Sequence, residues 1–243
     1  MNAKTGLNRR EQADQTRRAI LRSALREFSQ KGFDGASTVA IMKSAKVNTS
    51  LLYYYFKSKS GLYEAVILDA LEQYAEQANA NLRSSARPTE RILRAALIHF
   101  DRFIRHDEIQ ILWQQEMVRL RRGRRDFAET LAKNFFAPWL KNMRETIEQG
   151  IEEGELRKVN WQLAVGFILG ANTYFFLNAP IFDLALGTEP FSRTALETRR
   201  QGTIQFLTET LFSDPVSGRE VAASVLADMP MPKYRKLKWE ESR

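Results

Sequence analysis

Three consecutive tyrosines, Tyr53, Tyr54 and Tyr55, follow Thr49 and Ser50 and precede Lys57 and Lys59. Three tyrosines on one short helix cannot all be buried, because each hydroxyl needs a hydrogen-bond partner. At least one must point to solvent or to phosphates. Leu52 and Phe56 are four residues apart and can anchor such a helix to a core, leaving Thr49, Ser50, Tyr53 and Tyr54 to face outward. The chemistry of that face is hydrogen bonding to phosphate oxygens and base edges. Groups for catalysis are scarce elsewhere. The chain has no cysteine and only two histidines, His99 and His106, which removes thiol nucleophiles and thiolate metal sites. It carries no glycine-rich phosphate loop and no metal-spaced cluster. The acidic series Glu145, Glu148, Glu152, Glu153 and Glu155 falls at helical spacings and reads as a solvated face. These features argue against an enzyme, a metal site or a resident cofactor.

The distribution of charge points the same way. The 243 residues have a formal net charge of +8. Residues 1–61 hold 12 Lys/Arg and 4 Asp/Glu, whereas residues 62–243 hold 25 of each. The whole excess therefore sits in the first quarter of the chain. A solvated basic face is the plain reading of any charge run. Confinement to one compact segment favours a nucleic-acid contact, because phosphate neutralisation supplies most non-specific affinity. Hydrophobic residues make up 44%, enough for a packed core. The polar, charged N-terminus does not read as a signal peptide. The longest apolar run, Leu163 to Leu177, is 15 residues, short of the roughly 20 that a bilayer span needs. The expectation is a cytoplasmic protein without a membrane partner.

Apolar residues recur at three and four, and no strand-length alternation is convincing, so the chain reads as all-α. A first helix is expected over 9–31, with Asn8 and Glu11 as a capping box and Gly32 as its stop. Ser37 caps a second helix over 38–45. A turn at Lys46, Val47 and Asn48 leads to a third over 49–56, with Asn48 as cap. Residues 57–61 break the pattern before a long helix over 62–82. Further helices are expected at 88–105, 107–121, 125–153 with a kink at Pro138, 160–178, and 192–212, with Asn160 and Ser192 as caps. Residues 179–191 read as a loop. Ser217 and Glu220 suggest a capping box for a last short helix ending near Asp228, followed by a basic-aromatic tail that includes Tyr234, Leu237 and Trp239. Three regions result: a three-helix domain over 1–61, a larger helical domain over 62–213, and a C-terminal extension over 214–243.

Two short helices joined by a three-residue turn, inside the only net-basic segment, describe a helix-turn-helix, whose second helix enters the major groove. The residues from Thr16 to Phe28, then Gly32, Phe33, Ile41, Ala45, Val47, the run Leu52 to Phe56, Ser58, Lys59, Leu62, Ala65 and Val66 resemble the DNA-binding domain of the TetR/AcrR family of bacterial repressors. The likeness covers residues 14–67. It implies that Thr49, Ser50, Leu51, Tyr53 and Tyr54 meet bases or the adjacent backbone. Tyr55 and Lys59, with Ser37 and Thr38 at the start of the second helix, would meet phosphate. The sequence departs from the family at Lys46, where the turn usually has glycine, so a side chain is expected at positive φ. It departs also at Met42, at Ala40, and at Ser50 and Leu51, where Leu51 can offer an apolar contact to a thymine methyl.

The resemblance further implies a ligand cavity in the larger domain and a homodimer on a palindromic operator, with half-sites about 34–36 Å apart. A small, mostly apolar ligand would release the DNA. Trp113, Met117, Phe136, Trp139 and Asn172 are the candidates for its lining, although an aromatic stripe at helical spacing is also what a plain core looks like. His99 reads as a satisfied histidine rather than a ligand contact. Gly166 and Gly170, one turn apart on an apolar helix, allow another backbone to approach. The resemblance places that helix, with Thr203 and Leu207 on the helix over 192–212, in a four-helix interface between two copies. The alternative reading is a helical dimeric DNA-binding scaffold controlled by a protein partner. The cluster Arg119, Arg121, Arg122, Arg124 and Arg125 around Gly123 reads as a solvated loop.

Overall fold

The computed structural model describes residues 3–123 and 125–233, without the side chains of residues 3–7. Arg124 and the tail residues Tyr234, Leu237 and Trp239 lie outside the described residues. Eleven α-helices and one π-turn make up the described chain: α1 (Ala3–Gly35), α2 (Thr38–Ser44), α3 (Ser50–Phe56), α4 (Lys59–Leu82), α5 (Pro88–Arg105), α6 (Asp107–Arg121), α7 (Asp126–Leu131), the π-turn Ala132–Phe136, α8 (Ala137–Glu152), α9 (Trp161–Leu186), α10 (Arg193–Leu211) and α11 (Pro215–Asp228). They form two compact units, Met1–Gln73 with Glu108–Ala132, and Tyr74–Asp107 with Lys133–Arg243.

In the first unit, Ile20, Ala24 and Phe28 of α1 are fully buried, as are Ile41 and Met42 of α2, and Leu62 and Tyr63 of α4. The helix begins at Ala3 and passes through Asn8, so Asn8 caps nothing. Its dihedrals break at Gly32 (φ 70°), where the sequence places the stop. The break expected over 57–61 is confined to Lys57 and Ser58. Ser58 Oγ accepts from Gly61 N–H at 3.0 Å, so α4 opens at Lys59 with a side-chain cap. Gly61 is there for space, since a Cβ would collide with the Phe56 carbonyl oxygen.

In the second unit, α5 lies at the centre, packed against α8, α9, α10 and α11. Its buried residues run almost without gap from Pro88 to Ile104. The helical irregularity in this stretch is the π-turn Ala132–Phe136; Pro138 sits in the first turn of α8, where its missing N–H costs nothing. Helix α9 does not stop at 178. It continues through Pro180 to a left-handed cap at Gly187 (φ 62°), whose N–H bonds the Asp183 carbonyl. Burial of Ala179 and Asp183 on this last stretch offsets the lost hydrogen bond. The 15-residue apolar run is thus the middle of a 26-residue helix, long and apolar enough to cross a membrane by length and composition. In the extension, Asp214 rather than Ser217 is the cap, accepting from Val216 N–H at 2.9 Å. Helix α11 then buries Ala222 and Val225 in the core of the unit.

Candidate nucleic-acid interface

The segment from α2 to α3 is held by local hydrogen bonds that its sequence dictates. Ser37 Oγ accepts from Ala40 N–H at 3.3 Å. The Ser37 N–H donates to the Glu27 carboxylate at 3.1 Å, which also takes Lys31 Nζ at 2.8 Å. These two bonds, Lys31 first, hold the Glu27 carboxyl below its ordinary range. Lys46 adopts φ 57° in the turn, and Val47 N–H closes onto the Met42 carbonyl at 3.1 Å. Asn48 Oδ1 then accepts from Ser50 N–H at 2.8 Å.

Helix α3 presents two faces. Leu52 and Phe56 are buried, whereas Tyr53 and Tyr54 are 67% and 78% exposed. Thr49 and Ser50 are exposed beside them, and Leu51 and Tyr55 are half-buried. Tyr55 packs edge-on against Tyr54, ring centroids 4.9 Å apart. Ser37 is exposed at the start of α2 and Thr38 is half-buried. Lys59 is drawn inward: its Nζ donates to the Asp34 carbonyl at 3.2 Å and lies 5.1 Å from the Phe33 ring centre. A second left-handed lysine, Lys57 (φ 64°), follows α3 directly.

Behind this layer stands a group that sequence reasoning misplaced. Arg119 is not a solvated loop residue. It lies on α6 with its guanidinium carbon 4.1 Å from the Phe33 ring centre and 4.8 Å from that of Tyr63. Glu116, 1% exposed, is 3.4 Å from it. The i,i+3 spacing of Glu116 and Arg119 was the available signal. Desolvation first, and then the Glu116 charge, raise the Tyr63 hydroxyl well above its ordinary range.

The other candidate residues are divided. Trp113 and Met117 lie on α6 in the first unit, whereas Phe136, Trp139 and Asn172 lie in the second. Asn172 is fully buried, its Nδ2 donating to the Ala96 carbonyl at 3.2 Å and facing His99 Nδ1 at 3.4 Å. His99 is buried, and desolvation followed by the Arg102 charge pushes its pKa down to about 3, which keeps the ring neutral. Gly166 and Gly170 are exposed, and nothing lies within 4 Å of a Cβ built on either. Thr203 and Leu207 face the other way. Thr203 Oγ1 donates to the Arg199 carbonyl at 2.9 Å, and Leu207 is part of the core. Phe206, one position earlier, is an exposed large apolar side chain on α10. Glu155 leaves the solvated acidic face: it accepts from Arg87 at 2.7 Å and from Thr89 Oγ1 at 2.8 Å.

Comparison with known proteins agrees with this architecture. Residues 20–66 match the family described as bacterial regulatory proteins, tetR family. Over 106 residues, 43% of this chain and 49% of the relative, the sequence is 40% identical to the HTH-type transcriptional repressor NicS of Pseudomonas putida. It is 30% identical over 146 residues to the probable HTH-type transcriptional regulator YttP of Bacillus subtilis, covering 59% of this chain and 66% of that one. The chain thus spans about half the length of the first relative and just under two thirds of the second. Among solved structures, the transcriptional regulator FadR of Bacillus subtilis, in complex with stearoyl-CoA, superposes over 76% of this chain and 97% of its own, with a TM-score of 0.57 at 21% identity. That likeness is one of fold. Helix-turn-helix geometry, the matched segment and the relatives agree: the chain belongs to the TetR family of bacterial regulatory proteins.

Proposed function

We propose that the protein is a homodimeric transcriptional repressor, acting in the cytoplasm, that reads a palindromic operator through α3 and leaves it when a small, mostly apolar ligand occupies the second unit. The observation that carries the DNA-binding reading is the outer face of α3: Thr49, Ser50, Tyr53 and Tyr54 stand exposed in the segment that holds the entire positive excess of the chain. Hydroxyls there can reach base edges and phosphates. Ser37, Thr38, Tyr55 and Lys59 would add backbone contacts, and Leu51 an apolar one.

Dimerisation is supported by α9. Leu163, Phe167, Gly170, Tyr174, Leu177, Ile181 and Leu184 are spaced alternately by four and three residues, and all are exposed. A seam with this period fits a partner helix. Gly166 and Gly170 let that helix approach, and Phe206 of α10 extends the surface. An exposed apolar seam also accounts for the hydropathy of α9 without a bilayer. Polar groups with spare capacity support a ligand site in the second unit. Among the described residues, Asn172 Oδ1 and Trp139 Nε1 are buried without hydrogen-bond partners, and Asn172 faces a neutral His99. An acyl thioester, the class bound to FadR, is the first ligand to test. The backbone passes between the units three times, so a ligand acts on DNA affinity through those crossings. A coupling of roughly 1–3 kcal/mol gives about 5- to 150-fold release.

The test is selection of bound duplexes from a random pool by the full-length protein. Enrichment of a palindrome with half-sites about one helical turn apart is expected. Binding that is salt-dependent but never sequence-selective would refute the reading.

A further inference from the structure

The first unit contains a cleft of about 660 Å3 between the Gly32 turn and the outer half of α6. Small-molecule sites occupy about 300–1,000 Å3. Phe33, Ile111 and Val118 give the cleft an apolar wall, and Lys31, Arg119 and Arg122 give it three cations against one acid, Asp34. Lys31 is engaged by Glu27 at 2.8 Å. Arg119 is not fully engaged. Its contact with Glu116 is an ion pair without hydrogen-bond geometry. Among the described residues, its Nε and Nη1 are buried with no hydrogen-bond partner. Buried donors left in this condition are rare in folded proteins and mark a place where an acceptor belongs.

We propose that this cleft binds an amphipathic organic monoanion, with an apolar body on Phe33, Ile111 and Val118 and a carboxylate-like end on Arg119 and Arg122. The site is distinct from the ligand pocket proposed for the second unit and stands without it. Its occupant would touch the segment that leads into α2. Phe33 and Asp34 are the residues that hold Lys59, and Ser37 follows three positions later. The anion is therefore an effector of the DNA-reading unit itself, needing no relay from elsewhere.

The experiment is calorimetric titration of the full-length protein with 1-naphthoate and with decanoate, and with 1-naphthalenemethanol as the uncharged counterpart. One carboxylate per chain is expected, with the alcohol binding at least about tenfold more weakly, as loss of a charge-assisted contact requires. Val118→Trp fills the cleft and Arg122→Glu reverses the charge at its rim. Both residues are exposed, so both variants should fold, and each should weaken binding by about tenfold or more. Asn172→Leu, in the second unit, should leave it unchanged. Failure of both carboxylates to bind overturns the proposal. So does binding that survives Val118→Trp and Arg122→Glu, or that disappears in Asn172→Leu.

Discussion

Each unit pairs a buried carboxylate with an arginine, and the two pairs are completed to different degrees. In the second unit, Arg200 donates to Asp101 through Nε at 2.8 Å and Nη2 at 3.1 Å, and to the Met229 carbonyl at 2.8 Å. Both side chains are under one tenth exposed. That pair ties α5 to α10 and to the end of α11, and its hydrogen-bonding capacity is used. In the first unit, Glu116 is as deeply buried, yet Arg119 meets it at 3.4 Å and keeps two buried N–H groups without partners among the described residues. A closed pair is a clamp whose parts cannot be spared. An open pair stabilises less and retains capacity for something else.

The largest expected effect separates the two. Asp101→Ala leaves Arg200 as an uncompensated buried charge and should cost about 3–5 kcal/mol in urea unfolding. Glu116→Gln keeps the shape, removes a carboxylate that accepts no full hydrogen bond from Arg119, and should cost under about 1 kcal/mol. Equal losses would dissolve the contrast.

Glu116 and Arg119 are within one helical turn of each other, but the Asp101–Arg200 pair is not legible in the sequence, and the reason is separation. Asp101 and Arg200 stand 99 positions apart, and no local pattern announces that they meet. What is legible is local chemistry. The caps at Ser37, Asn160 and Ser192, the stop at Gly32 and the strained turn at Lys46 all follow from residues within a few positions of one another. The errors have the same origin. Pro180 looks like a terminator until the burial of Ala179 and Asp183 is known, and Glu155 looks solvated until Arg87 is brought to it. On α10 a one-residue error of register moves the exposed position from Phe206 to Leu207. The face of α3 was readable because Leu52 and Phe56 fix it within a single helix. The cleft at Gly32 joins two segments about eighty residues apart, which no local pattern reveals.

The pH response should separate carboxylates on which desolvation prevails from one on which hydrogen bonds prevail. Desolvation is the main influence on both Asp101 and Glu116 and raises both carboxyls. A raised carboxyl binds its proton more tightly in the folded state, so its contribution to stability falls as pH rises through the window above its ordinary value. Glu155 behaves oppositely. Burial works against its charged form, but hydrogen bonds from Arg87 and Thr89 outweigh it and hold the carboxyl below 4.5. Its contribution is present above that ordinary value and is lost as pH falls through the lowered one. Glu155→Gln should therefore cost about 1–3 kcal/mol near neutrality, with the difference from the parent shrinking in acid. Urea midpoints at several pH values measure this. A gap that widened on acidification would reverse the assignment.

The smallest effect concerns backbone rather than charge, and again the first unit is the less relaxed. Where the second unit adopts positive φ it uses Gly154 and Gly187; the first uses Gly32 and Gly123 but also Lys46 and Lys57. Those two lysines bracket α3. A side chain in the left-handed region costs roughly 1–2 kcal/mol, and strain of this kind collects where function over-determines the backbone. Lys46→Gly should relieve it, less the roughly 0.5–1 kcal/mol that glycine loses through its freer unfolded chain. The net expectation is a gain of about 0.5–1 kcal/mol in urea unfolding. If the lysine is kept at that cost because its ammonium meets a phosphate, the same substitution should lower the salt dependence of duplex binding by about one counterion, a slope change near 0.9. Higher stability with an unchanged slope would leave the strain at Lys46 without a purpose in DNA binding. Higher stability with a shallower slope would show that the turn before α3 gives up part of its own stability to hold a charge against the DNA backbone.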